Sequence, residues 1–343
     1  MNFIFIASIN FSILLILFLA LKKLNLLIDS VNTSEHKKIG KVNNKPILLG
    51  GLYFVIIFII YFPNLNLDAK LILIFLFLLG LLSDINFIND IKLRLLTQFV
   101  LTLSLVIFSD LKIIDLRLHL LNELLEINTF NVLFTTFCLV ILINGSNFID
   151  GLNALLGGYI FLVLLCLIYL KLINNNLIIN DFFDILILAV SLMFFLILNF
   201  TGKVYLGDSG SYFLSALIGF ILINLYYVNI TNMSPYYIAL LLWYPAFENL
   251  FSLLRRLNLK KKISNPDNLH LHHLILQFVF KNRFFEKKNV NQFSSLVILM
   301  FNLPSIVIGT IFFQETKIII FLIFCNIFLY LFFYIKILNS NNK

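Results

Sequence analysis

The stretch VLFTTFCLVILINGSNFIDGLNALLGGYIFLVLLCLIYL, residues 132–170, reads as two apolar runs joined by a polar seam at 144–153. Within the seam Asn144, Asn147, Asp150 and Asn153 recur at three-residue intervals, with Gly145 and Gly151 among them. On an unbroken helix each three-residue step turns the side chain by about −60°, so Asn144 and Asn153 would face opposite ways. Glycines break that geometry, and a turn would gather Asn147, Asp150 and Asn153 around one point. An interfacial turn that caps the next helix would use the same residue types.

The rest of the chain resembles the two runs. Of its 343 residues, 61% are hydrophobic and 12% charged, whereas soluble chains hold about 45–50% apolar and about 25% charged residues. Lipid is therefore the solvent. Eleven apolar spans are expected, at 3–21, 47–63, 70–83, 95–110, 130–145, 152–173, 182–200, 206–228, 235–254, 292–313 and 318–338. Several fall short of the roughly 20 residues that a crossing helix needs. The expected fold is an all-α polytopic membrane protein with about 10–11 transmembrane helices, forming one integral membrane domain over residues 1–343. Lys22 and Lys23 follow the first run and no basic residue precedes it, which predicts a retained first span. Cys138, Cys166 and Cys325 lie far apart in apolar runs and read as small hydrophobes.

Charge orients the chain. With the N-terminus outside and the C-terminus cytoplasmic, 20 of the 25 Lys and Arg residues fall inside and 5 outside, as the positive-inside rule requires. The net charge of +8 then belongs to a cytoplasmic face suited to anionic lipid head groups or phosphorylated substrates. Loops 22–46, 83–94, 144–153, 199–206 and 255–291 share that face. On the other side, DLRLH at 115–119 alternates polar and apolar residues, which predicts a short strand.

The polar motifs lie on the inner face. In NFTGKVYLGDSGSYF, 199–213, Asp208 stands where a span begins, beside Ser209, Gly210 and Ser211. A helix start favours an anion, and an Asp there would repel a phosphate without a cation between them, so Asp208 suggests a Mg²⁺ ligand. Lys203 adds charge and Tyr205 a flat ring. In SDINFINDIKLRLLTQ, 83–98, Asp84 closes an apolar run, near Asp90, Lys92 and Arg94. In RRLNLKKKISNPDNLHLHHLI, 255–275, His270, His272 and His273 cluster without cysteines and without zinc-ligand spacing. Phosphate or sugar binding suits them better. The loop 29–51 adds His36 and four lysines.

Together these segments resemble the polyprenyl-phosphate N-acetylhexosamine-1-phosphate transferases, over about residues 29–275. NFIDGLNALLGG is similar to the family's NxxDGxxGL segment, KVYLGDSGS to its KVFxGDxGS, KLRLLTQ to the stretch after its paired aspartates, and HLHH to its histidine motif. The departures are Ser83-Asp84 in place of an Asp pair, Asn153-Ala154, an eroded DSVNTSEH, and PILLGG, which is one residue longer than its family counterpart. The resemblance implies transfer of a HexNAc-1-phosphate from a UDP-sugar to undecaprenyl phosphate with release of UMP, as the first membrane step of a cell-envelope glycan. It implies Mg²⁺ (Mn²⁺ able to substitute), a bacterial cytoplasmic membrane location, contact with membrane lipids and no nucleic acid; it is compatible with a homodimer. Asp84 and Asp208 would be catalytic. Asp208, Asn153 and Asp150 would hold the metal. Asn147, Asn199, Lys203, Tyr205, Arg255, His270, His272 and His273 would bind substrate. Direct attack and a covalent aspartyl-phosphate both remain open. The alternatives are a transporter or flippase for an anionic lipid-linked substrate, which predicts paired repeats, and an inactive lipid-binding paralogue, prompted by Ser83.

Overall fold

A computed structural model describes residues 3–29, 46–174, 176–180, 182–258, 269–282, 286 and 289–341. Most of the loop expected at 22–46, with His36, and the centre of that at 255–291 lie outside the described residues. Among those described there are fourteen helices and one two-stranded sheet.

The helices run back and forth through one bundle. Helix α1 is Phe3–Leu24, α2 Gly50–Tyr61, α3 Leu67–Asp84 and α4 Ile91–Phe108. A short α5, His119–Glu126, precedes α6, Asn128–Ile149, then α7, Leu155–Ile173, α8, Phe182–Phe200, and α9, Gly207–Val228. After α9 come α10, Pro235–Leu241, and α11, Trp243–Asn258, then α12, Leu271–Lys281, α13, Val290–Ile311, and α14, Thr316–Asn341. Strands β1, Ile47–Leu48, and β2, Val204–Tyr205, pair in parallel. Ile28 bridges to Ile47, and the Asp29 N–H donates to the Pro46 carbonyl at 3.0 Å.

Eight of these helices are long and apolar enough to cross a membrane, and the α10–α11 pair, bent by 74° at its break, makes a ninth. The protein is thus an all-α, multi-pass membrane protein, with fewer full-length spans than the eleven expected. Helix α2 has 12 residues, about 18 Å at 1.5 Å per residue, against a hydrocarbon layer of about 30 Å. Helix α3 carries Asp68, Lys70 and Asp84 near its ends. Both helices still take their turn in the up-and-down order, packed inside the bundle. The expected strand at 115–119 does not form: Arg117 takes a left-handed φ of 55° and His119 already opens α5. The Asp115 side chain accepts from the Arg117 N–H and from Asn122 instead, at 2.6 Å each.

Helix α9 is the axis of the fold, with 78% of its apolar window buried, against 22% for α1 and for α14 at the periphery. It packs on α2, α3, α6 and α10. A Cβ at Gly80 on α3 would run into the Ser209 backbone, so a glycine there lets α3 and the start of α9 touch. The two ends of the bundle are each stitched by polar contacts. At one end, Asn66 Nδ2 donates to Phe108 O at 3.4 Å, Asn229 exchanges hydrogen bonds with Ile178, and Arg117 donates to Met233 O at 3.1 Å. At the other end lie the ends of α3, α6 and α8, the starts of α4, α7, α9 and α12, and the sheet.

Candidate active site

The polar end is built around the start of α9. The first amides of a helix have no partner within it, and here the partner comes from α3. Asp84 Oδ1 accepts from Asp208 N–H at 2.8 Å, and Oδ2 accepts from Ser209 N–H at 3.1 Å and from Ser209 Oγ at 2.6 Å. Gly207 makes this possible. Its φ is +76°, and a Cβ there would stand 2.7 Å from Asp84 Oδ2. Asp84, expected to face substrate, is thus also the remote cap of α9.

That cap places Asp208 among three groups from three helices. Its Oδ2 accepts from Ser83 Oγ at 2.6 Å and pairs with Arg94 at 3.0 Å. Its Oδ1 accepts from Asn147 Nδ2 at 2.7 Å, and the same amide reaches Ser211 Oγ at 3.1 Å. Arg94 also donates to Ser83. Ser83 thus joins the cation to the carboxylate where relatives in the resemblance carry a second aspartate. The cluster stays open: the Arg94 and Asp208 side chains are 24% and 28% exposed.

The seam at 144–153 holds its turn later than the glycines predict. Helix α6 continues through Gly145 to Ile149, and Gly145 serves close approach, since a Cβ there would collide with the Pro245 carbonyl. The turn comes at 150–154. Ala154 adopts a left-handed φ of 62°, a strain of about 1–2 kcal/mol, and side chains from other helices hold it. Ala154 N–H donates to Asn199 Oδ1 and Asn153 N–H to Asn291 Oδ1, both at 2.7 Å.

The histidines pack on this turn. A Cβ at Gly151 would lie 3.1 Å from His272 Nε2 and from His273 Cε1, so Gly151 sits against both rings. The rings of His272 and His273 are 4.1 Å apart, and His270 lies 5.0 Å from Phe148. Motifs more than 100 residues apart in sequence therefore meet, as the resemblance implies.

Other expected substrate contacts are occupied within the protein. Asn199 is 6% exposed, and with Oδ1 on Ala154 its Nδ2 donates to Val204 O at 2.7 Å, so it braces the turn against β2. Arg255 donates to Leu269 O at 2.7 Å and to Tyr334 of α14 at 3.0 Å, and it stands 5.5 Å over the Phe251 ring. It fastens α11 to α14 and to the chain entering α12. Lys203 is exposed, while its carbonyl accepts from Ile47 N–H. Tyr205 is half-buried on β2. Burial, and then the charges of Asp29 and Asp150, push its phenol up to about 12, which keeps it a neutral donor. Asp150 follows α6 as its C-cap. Ser83, Arg94, Asn291 and Glu248 contribute to this end but are missing from the substrate, metal and catalytic assignments made on sequence. Glu248 carried a signal, an acid alone in the apolar stretch WYPAFENLF.

Fold and site define a multi-pass membrane protein with an open carboxylate–guanidinium cluster at one end of its bundle. Residues 68–226 match the glycosyl transferase family 4 model, so this stretch is similar to that family. The match contains Ser83, Asp84, Arg94, Asn147 and Asp208 and stops short of the histidines. The chain is 28% identical over 206 residues to a probable undecaprenyl-phosphate N-acetylglucosaminyl 1-phosphate transferase of Bacillus subtilis, covering 60% of this chain and 56% of that one. It is 29% identical over 212 residues to the undecaprenyl-phosphate alpha-N-acetylglucosaminyl 1-phosphate transferase of Thermotoga maritima, with 60% of each covered. The enzyme of that name from Escherichia coli K12 is 24% identical over 226 residues, with 65% of this chain and 61% of the relative covered. The match thus spans less than two thirds of these relatives.

Proposed function

We propose that the protein transfers a HexNAc-1-phosphate from a UDP-sugar to undecaprenyl phosphate, releasing UMP, at the cytoplasmic face of a bacterial inner membrane. The observation that carries this reading is the Asp208 cluster. A carboxylate, a guanidinium and an amide from three helices meet at the first turn of α9, inside the family-matching stretch. The names of these relatives supply the reaction class.

The reaction exchanges one diphosphate linkage for another. An oxygen of the lipid phosphate attacks the sugar-bearing phosphorus, and the P–O bond to UMP breaks. Catalysis then needs positioning and neutralisation of two anionic partners. Arg94, part-exposed beside Asp208, faces the growing negative charge. Asn147 fixes the rotamer of Asp208, and Ser83 fixes Arg94. Asp84 holds the α9 amides in place.

Mg²⁺ fits this donor set. Among the described residues Asp208 Oδ1 accepts from one donor, and a carboxylate oxygen has two lone pairs. Among the described residues no group of three His, Cys, Asp or Glu is placed to hold a metal. A cation here would therefore take most ligands from diphosphate and water, as Mg²⁺ does. Asp208 would hold it, with Asp150 and Asn153 as further oxygen donors from the turn. When bound it would screen the diphosphate charge.

The test is detergent-purified protein with undecaprenyl phosphate, Mg²⁺ and a panel of UDP-sugars, read as UMP release. Release is expected with a UDP-HexNAc and is expected to stop in excess EDTA. A protein that releases UMP from no UDP-sugar overturns the reading. Orientation is tested separately. Asn265→Cys and Ser340→Cys are expected to react only with reagents that enter the cytoplasm, and Asn232→Cys with impermeant reagents on intact cells. Labelling of position 265 from outside would invert the assignment.

A further inference from the structure

One buried acid has no part in the mechanism above. Glu248, on α11 just past the 74° break, is 0% exposed. An ionised carboxylate in such a place costs several kcal/mol unless it is paired and hydrogen-bonded, and an ionisable group inside a membrane bundle marks function by default. Glu248 is fully engaged. Its Oε2 accepts from Tyr330 Oη of α14 at 2.9 Å, and its Oε1 accepts from Leu271 N–H at 3.3 Å. The same Oε1 lies 2.9 Å from His270 Nδ1. A carboxylate has no proton to give, so it accepts in all three contacts. The proton of the third bond therefore belongs to His270.

The carboxylate thus sets the tautomer of the ring. Nδ1 of His270 carries hydrogen and points at Glu248, which leaves Nε2 on the opposite edge of the imidazole. The ring is also fixed in plane, 5.0 Å from Phe148 and 5.5 Å from His272. Both neighbours reach the turn at Asp150 and Gly151: Phe148 is two residues before Asp150, and His272 touches Gly151.

We propose that Glu248 is a positioning residue for the transfer reaction, locking His270 so that the unprotonated Nε2 is presented as an acceptor to a hydroxyl group of the nucleotide-sugar. This deepens the transferase reading and rests on it. Partners of this kind, which orient a functional histidine from behind, typically change affinity or activity about 10–100-fold when removed.

The informative variant is Glu248→Gln, which keeps the volume and an acceptor for Nδ1 but removes the charge. Glu248→Ala would leave a cavity and an unpaired Tyr330 hydroxyl, and would fail whatever the role of the acid. Glu248→Gln is expected to lower kcat/KM for the UDP-sugar by about 10–100-fold with the unfolding temperature held. His270→Gln is expected to lose about 10²–10³-fold. The double variant should be no worse than His270→Gln alone, since residues that act as a unit are strongly non-additive. Stabilisation of each protein by added UMP is measured alongside turnover.

Losses that multiply in the double variant, with wild-type UMP release intact, overturn the positioning role and leave the transferase reading standing. An unchanged rate in Glu248→Gln does the same. A wild-type protein that neither releases UMP nor is stabilised by it overturns both.

Discussion

Asp208→Asn is expected to reduce kcat by about 10³-fold or more while leaving the protein folded and the KM for UDP-sugar unchanged or lowered. The substitution keeps the shape of the side chain, so Ser83 and Asn147 retain partners for hydrogen bonding. What disappears is the charge that balances Arg94 and the anionic oxygen offered to a cation. Arg94 is released from a 3.0 Å ion pair, which makes the site more positive and more welcoming to a diphosphate. Groups that stabilise charge developing in the transition state are worth about 10²–10³-fold each, and loss of a metal ligand adds to that. Steady-state kinetics with both constants resolved check the split. A variant within tenfold of wild type would remove Asp208 from the chemistry.

Asp84→Asn is expected to fail in two ways at once. Asp84 accepts three hydrogen bonds from the first turn of α9, and an amide can match only one of its two oxygens. Loss of a cap costs about 0.5–2 kcal/mol, and loss of a negative charge at a helix start about 0.3–1 kcal/mol. A lower unfolding temperature should therefore accompany a fall in turnover of about 10²-fold or more. The two effects share one cause, because Asp208 and Ser209 are the residues whose amides Asp84 holds. A variant with wild-type thermal stability would contradict the capping account even if it were inactive.

Much of this was legible in the sequence because lipid imposes simple rules. Apolar runs and the Lys/Arg bias divide the chain into passes without reference to any contact. The order of polar segments placed Asp84, Asn147, Asp208 and the histidines at one end of the bundle. The roles within that end were less legible. Asn199 and Arg255 are polar residues beside a site, and sequence alone gives no way to tell a strut from a ligand. Their partners, Ala154 and Val204 for one, Leu269 and Tyr334 for the other, are fixed by packing across helices. Ser83 read as a lost carboxylate, yet it is the link between Arg94 and Asp208, a relation across 125 positions of sequence. The turn after α6 came late because Gly145 is used to admit the Pro245 carbonyl and does not break the helix. Helix α2 fell short of a span because its glycine-rich start is buried against α9 and the sheet.

The small sheet has a consequence for how this protein can vary. Asp29 and Pro46 are tied to each other, Ile28 bridges to Ile47, and β1 is tied to β2, so the described residues on either side of 30–45 form a closed neck. The stretch between, residues 30–45, can be lengthened, shortened or exchanged without moving either end of that neck. Doubling the length of such a loop costs only about 0.6 kcal/mol in closure entropy. Changes of length among residues 30–45 are therefore expected to leave β1, β2 and the start of α9 in place.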